Sequence, residues 1–306
     1  MSDWSRDDTN PLPIAGAIPA RPRPEPAPPT TAVRIEVAGL SDKGKIREEN
    51  QDHFLVVRAG RYAETIATSL PPGEISERSE DRGLLMMVAD GMGGHAAGEV
   101  ASRTVLVTLT HLILNHPEWA LKVDEKSAAD IKDRAVARYQ ALDAALAERM
   151  QADPSLKGMG TTLTVAYSLG LDLFIAHAGD SRAYLLHQGT LRQLTRDHTY
   201  VQRLVDAGMM SREAAAAHQL RNALTNVLGG GNRSVEVDLQ QLRIAAGDQL
   251  LLCSDGLTGT MTDEEIAGIL GDSAAAGTSC RRLVDRALER GAPDNVTVIV
   301  ARYELC

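Results

Sequence analysis

The 306-residue sequence is poor in aromatic side chains, with two Trp, six Tyr and two Phe, and it carries no surplus of positive charge. Its 32 Lys and Arg stand against 41 Asp and Glu, a net charge of −9. A nucleic-acid binder recruits phosphates with a basic surplus and stacks bases on aromatic faces, so both shortages argue against that class. Cysteine is scarce as well. Cys253, Cys280 and Cys306 lie far apart with no CxxC pair, which suggests neither a zinc site nor a disulfide framework and is the pattern of a reducing cytoplasm. No apolar run approaches the ~18–20 residues of a membrane-spanning helix; the most apolar helical stretch, residues 104–114, is interrupted by Thr108, Thr110 and His111. The first residues carry Asp3, Asp7 and Asp8 and run into prolines, unlike the basic and apolar regions of a signal peptide. The expectation is a cytoplasmic chain that binds neither nucleic acid nor membrane.

Proline is distributed unevenly: eight of the thirteen lie between residues 11 and 29. Such a segment buries too little apolar surface to offset its ordering entropy, so residues 1–32 are expected to form a disordered tail and residues 33–306 the folded domain. Within that domain, apolar runs at residues 34–40, 53–58, 84–89, 161–168, 171–177, 183–187, 235–242, 249–253 and 296–301 read as strands, mostly bounded by Gly, Asp or Asn. Nine short strands suggest a mainly antiparallel sandwich. Helices are expected over residues 96–114 and along the stripe of Ile131, Ala135, Tyr139, Leu142, Leu146 and Met150. Thr262 with Glu265 forms a capping-box signature opening a helix toward Leu270, and residues 279–290 form another that stops at Gly291 with Pro293 beyond. Strands and helices without strict alternation indicate an α+β layered fold. The polar stretch 62–82, with Pro71, Pro72 and Gly73, reads as a long surface loop.

The informative pattern is where aspartates fall. Asp90 ends the apolar run LLMMVA, Asp255 ends LLLCS, Asp180 follows a strand in HAGDSR, Asp294 precedes VTVIV, and Asp52 precedes another strand. Each alone is an ordinary turn residue. Five together are different, because strand ends meeting at one sandwich edge would crowd five carboxylates, whose repulsion a divalent cation relieves. Oxygen ligands without a His or Cys cluster select magnesium or manganese over zinc. Gly91, Gly93 and Gly94 would let backbone carbonyls approach such an ion. Two oxygen-ligated ions roughly 3.5–4 Å apart are a recurrent arrangement for phosphoester hydrolysis. Arg47, five residues before Asp52, is placed to be a phosphate clamp, although on composition alone a solvated arginine among Lys43, Lys45, Glu48 and Glu49 is the stronger reading.

The ordered set SDKGKIREENQD, VADGMGGHAAGEVAS, GMGTTLT, HAGDSRAYLL, LTRDHTYVQRLVDAG, LLLCSDGL and PDNVTVIV resembles the metal-dependent Ser/Thr protein phosphatases of the type 2C family, in particular its bacterial branch, over residues 33–303. The resemblance implies a four-layer αββα sandwich of two antiparallel sheets flanked by helices. It also implies two Mn2+ or Mg2+ ions, with Asp90 bridging them, the Gly91 carbonyl on one, and Asp255 and Asp294 on the second. Asp52 would orient bound waters, Asn295 would support Asp294, and Asp180 with Asp255 would hold a weaker third ion. Arg47 matches the family's phosphate-binding arginine, which reverses the compositional reading. Residues 196–232 match a mobile flap beside the site. The implied partners are phosphorylated proteins and an opposing bacterial Ser/Thr kinase.

Two departures from the family pattern stand out. Gln51 replaces a Glu near the first ion and would weaken that site, and Met92 occupies a position where many eukaryotic members carry a histidine thought to be the general acid. Met cannot donate a proton, although bacterial members share it. His95, three residues on, is expected to serve the loop's structure. No CxxxxxR nucleophile and no Walker motif is present. The rivals to a general phosphatase are a weakly metallated phosphatase-like binding module and a phosphatase dedicated to one regulatory partner.

Overall fold

The computed structural model describes residues 33–67, 69–71, 78–94, 97–115, 125–230 and 234–305; the expected tail, residues 1–32, lies outside the described residues. In chain order the elements are β1 (Val33–Asp42), β2 (Asp52–Glu64), β3 (Arg78–Met92), α1 (Ala97–Asn115), α2 (Glu125–Ala152), β4 (Gly160–Thr161), β5 (Leu163–Leu169), β6 (Asp172–Ala178), β7 (Arg182–His187) and β8 (Thr190–Gln193). They continue with α3 (Tyr200–Asp206), α4 (Arg212–Ala216), β9 (Asp238–Arg243), β10 (Gln249–Cys253), α5 (Asp255–Thr258), α6 (Asp263–Asp272), α7 (Ala276–Glu289) and β11 (Val296–Leu305).

The strands form two antiparallel sheets, one ordered β1-β11-β10-β7-β8 and the other β2-β3-β5-β6-β9 with β4 added beside β3. Side-chain alternation explains the layers. Leu84, Met86 and Val88 of β3 enter a shared core with Leu250 and Leu252 of β10 and Ile299 of β11, so this face lies between the sheets. Their neighbours Leu85, Met87 and Ala89 point the other way, onto α1 and α2. On the other sheet Leu251, Val298 and Val300 pack outward against α6 and α7 through Ile266, Leu270, Leu283 and Val284. The order helices, sheet, sheet, helices is the expected αββα arrangement. Strands buried on both faces have no polar side to alternate with, which is why they read as continuous apolar runs.

The helix expectations hold closely. The predicted stripe of α2 buries Tyr139, Leu142 and Leu146, and the Tyr139 hydroxyl reaches the carbonyl oxygens of Leu163 and Ala176 at 3.0 and 2.8 Å. Thr262 and Glu265 complete the capping box of α6. Three strand expectations are corrected. Residues 62–82 are not all loop: Tyr62 pairs with Glu80 and Glu64 with Arg78, because the β2–β3 ladder runs on past its apolar part. The run at 235–242 forms a strand only from Asp238, and the run at 161–168 splits at Thr162 into β4 and β5. The short strand β8 and the short helices α3, α4 and α5 had no distinct sequence signal.

Candidate metal centre and active site

One edge of the sandwich gathers all five predicted aspartates. Asp52 opens β2, and the register places it directly opposite Asp90 on β3. Asp180 follows β6 by two residues, Asp255 follows β10 by two, and Asp294 precedes β11 by two. Cys253, the last residue of β10, lies opposite Val298 on one side and Arg182 on the other, so these turns share the edge. The charges feel one another there. Burial holds the Asp90 carboxyl well above the usual carboxylate range, and Asp52, Asp255, Asp180 and Asp294 each push it further. Asp255 is pushed up to about 6 by burial and then by Asp294, with its hydrogen bond to Asp90 and the charge of Arg47 opposing. Asp180 is raised by burial and by Asp255, against Arg182.

Asp52 is 4% exposed and raised to about 7, first by burial, while its hydrogen bond from Ser254 opposes the shift. The Ser254 hydroxyl donates to Oδ2 at 2.7 Å, and Oδ1 is buried without a hydrogen-bond partner. A buried carboxylate oxygen left bare is costly unless a cation or water meets it. Ser254 also accepts from the Thr297 N–H at 3.0 Å, so one hydroxyl ties the β10 and β11 edge to the start of β2 on the other sheet. Sequence reasoning quoted Ser254 within LLLCSDGL but gave it no role.

The Asp90 backbone is anchored by the loop between β4 and β5. Its N–H donates to Thr162 Oγ1 at 3.0 Å, and its carbonyl accepts from the Thr162 N–H at 2.9 Å and from Thr161 Oγ1 at 2.8 Å. Gly91 next to it donates its N–H to the Gln51 carbonyl at 3.2 Å. A Cβ on Gly91 would stand 2.2 Å from the Gly98 carbonyl oxygen and 2.7 Å from that of Gln51, so only glycine fits this approach to α1. The Gln51 amide oxygen lies in turn close enough to Gly98 that a Cβ there would stand 2.5 Å from it.

Arg47 stands at this edge, paired with Asp294. Its Nε and Nη2 donate to Asp294 Oδ1 and Oδ2 at 2.9 and 2.7 Å, so the guanidinium engages a predicted metal ligand. Asn295 reaches both Asp294 and the loop that carries Arg47. Its backbone N–H donates to Asp294 Oδ1 at 2.9 Å, but its side chain holds the Arg47 loop, accepting from the Gln51 N–H at 2.8 Å and donating to the Lys43 and Glu49 carbonyls, both at 2.9 Å. Met92 is 38% exposed, and His95 lies outside the described residues.

No three His, Cys, Asp or Glu side chains among the described residues are drawn tightly enough to enclose an ion. Asp294 is turned onto Arg47 and Asp52 onto Ser254. The donor set nevertheless fits a hard divalent cation: carboxylates at one edge, a bare buried oxygen on Asp52, and mutual repulsion that a cation relieves. Among the described residues the thiols are poor nucleophiles, because burial pushes the Cys253 thiol up to about 12 and that of Cys280 to about 11.

A family model described as protein phosphatase 2C matches residues 75–295. The serine/threonine protein phosphatase PstP of Mycobacterium tuberculosis is 39% identical over 267 residues, 87% of this chain and 45% of that protein. The chain thus spans about half the length of that relative. The serine/threonine phosphatase stp of Listeria welshimeri is 33% identical over 265 residues, covering 87% of this chain and 94% of that one. A crystal structure of the PstP catalytic domain in complex with two manganese ions superposes with a TM-score of 0.68 at 37% identity, covering 89% of this chain and all of that one.

Proposed function

The chain belongs to the protein phosphatase 2C family, and from that membership we propose that it is a metal-dependent protein serine/threonine phosphatase. The observation that carries the reading is the meeting of Asp52, Asp90, Asp180, Asp255 and Asp294, from five separate strand ends, at the edge where Arg47 also stands. Asp90, the Gly91 carbonyl, Asp255 and Asp294 would hold two Mn2+ or Mg2+ ions, with Asp52 behind them and Asp180 available to a third. Such ions, when bound, lower the pKa of water and offset phosphoryl charge.

The chain's own residues supply the remainder. Arg47 presents two N–H groups in the fork that now spans two carboxylate oxygens, and two phosphoryl oxygens match the same fork. Asn295 fixes the loop that carries Arg47, so the guanidinium is held near the aspartate edge. Thr161 and Thr162 fix the Asp90 backbone. Both described cysteines are buried with raised pKa values, which agrees with direct attack by water rather than through a phosphocysteine at either of them. Exposed Ile46, beside Arg47, and exposed Met209 and Leu220 in the flap offer apolar contact to a polypeptide around a phosphorylated residue.

The substrates are phosphoserine and phosphothreonine proteins, which an opposing Ser/Thr kinase must supply, and the cytoplasm is the compartment consistent with two free buried thiols. Manganese-dependent phosphate release from phosphothreonine and phosphoserine peptides, abolished by a chelator, tests the reading. Retained phosphopeptide binding without any release would favour the binding module that Gln51 suggests. Turnover of one regulatory phosphoprotein but no peptide would indicate a dedicated enzyme.

A further inference from the structure

A network outside the aspartate cluster ties the flap, from Arg196 onward, to the loop that carries Asp180, and its centre is His198. The imidazole Nδ1 lies 3.1 Å from the Gly179 N–H and 2.9 Å from Asn226 Nδ2, both donors, so Nδ1 is the unprotonated nitrogen. Nε2 therefore carries the hydrogen and donates to Asp238 Oδ2 on β9 at 3.1 Å. One ring thus touches the residue before Asp180, the far end of the flap and the neighbouring strand.

The backbone repeats the connection. The His198 N–H donates to the Gly179 carbonyl at 2.7 Å, and the His198 carbonyl accepts from the Thr225 N–H at 2.8 Å and from Thr225 Oγ1 at 3.1 Å. The Tyr200 N–H donates to the Ala223 carbonyl at 2.8 Å, so the two ends of the flap are zipped together above the same loop. Beneath His198, its ring centroid 4.9 Å away, the buried His177 places Nε2 between the Gly179 and Arg196 carbonyls at 3.0 and 3.1 Å. Gly179 itself has φ +120°, and a Cβ there would stand 2.5 Å from Thr162. Both polar backbone groups of Gly179 are therefore committed to the first residues of the flap, in a conformation only glycine adopts readily.

We propose that His198 is a positioning residue whose imidazole couples the flap to the Asp180 loop. Any shift of the flap ends is passed through the His198 ring to the Gly179 N–H, and so to the adjacent carboxylate. Its consequence for turnover rests on the phosphatase reading above; the coupling itself does not.

The test uses the full chain and two substitutions. His198→Leu fills similar space and removes both ring nitrogens, whereas His198→Asn keeps an acceptor near Nδ1. Hydrogen exchange read by mass spectrometry on peptides covering residues 174–182 is expected to speed up about tenfold at Gly179 in His198→Leu and to return toward wild type in His198→Asn. With Mn2+ present, KM for a phosphothreonine peptide is expected to rise about tenfold in His198→Leu, while kcat/KM for p-nitrophenyl phosphate changes less than about twofold. Unchanged Gly179 exchange in a folded His198→Leu protein overturns the coupling. Equal losses on both substrates together with a lowered Tm overturn it too, because they assign His198 to stability alone. If the wild-type chain hydrolyses neither substrate, the phosphatase reading fails and the exchange measurement still decides the coupling.

Discussion

Arg47 and Asp294, 247 residues apart in sequence, are joined by two hydrogen bonds of 2.9 and 2.7 Å from one guanidinium to one carboxylate. The pair puts the proposed phosphate clamp and a proposed metal ligand in direct contact. The Arg47 pKa is raised chiefly by Asp294, and the arginine in turn eases the ionisation of Asp255.

Arg47→Ala is expected to lower kcat/KM for a phosphothreonine peptide on the order of 10- to 100-fold, the loss of charge-assisted hydrogen bonds to the phosphoryl group. Arg47→Lys should recover only a small part, because an ammonium lacks the planar two-donor fork. Steady-state kinetics on the two variants checks this; full activity in Arg47→Lys would show that only charge matters.

Ser254→Ala removes the hydroxyl that donates to Asp52 Oδ2 and accepts from the Thr297 N–H. Two buried polar groups then lose a partner, and the expected destabilisation is about 1–3 kcal/mol for each group left unsatisfied. Denaturant unfolding should report it, with a larger effect in chelator than in Mn2+ because an ion would also meet the Asp52 carboxylate.

Gly91→Ala is expected to fail at both fold and function. The added Cβ would meet the Gly98 carbonyl at 2.2 Å, and neither backbone can give way without moving α1 or Asp90. A fall in Tm together with lost Mn2+ binding by calorimetry is the expected pair of results, whereas wild-type Mn2+ affinity would show that the approach is slack.

The pH dependence has a definite sign. In the chain alone, burial raises Asp52 to about 7 and Asp255 to about 6. The folded state therefore holds protons that the unfolded chain has released, so this contribution to stability is complete below the ordinary carboxylate range and is lost as pH rises through about 6 to 7. His177, held neutral by burial and lowered to about 4, acts the other way and costs stability as pH falls below the ordinary histidine range. The difference in Tm between Mn2+ and chelator cancels the His177 contribution common to both. That difference should widen from pH 5 to pH 8; a constant gap would mean that the aspartates do not share the ion.

The aspartate edge was legible because an Asp that borders a buried apolar strand, at either end, is visible as a break in hydropathy, and this chain has five of them. The helix stripe of α2 and the capping box of α6 were legible for the same local reason. Ser254, Thr161, Thr162 and the His198 network were not, because their partners lie far away in sequence and their side chains bond to backbone groups. The extension of β2 and β3 through residues 62–64 and 78–82 was missed since its pairing partners are polar, and ladder hydrogen bonds do not depend on apolar side chains. Asn295 was read as a support of Asp294, and its main work, clasping the loop of Arg47, needed the fold to appear.

The central claim, that the five aspartates form one metal centre for phosphate-ester hydrolysis, meets its most direct test in the Mn2+-dependent turnover of a phosphothreonine peptide by Asp90→Asn. The substitution keeps size and removes the charge at the residue on which the other four converge. A loss of about 100-fold or more, with the fold intact by circular dichroism, is the result the account predicts. Turnover equal to wild type in that variant would contradict it.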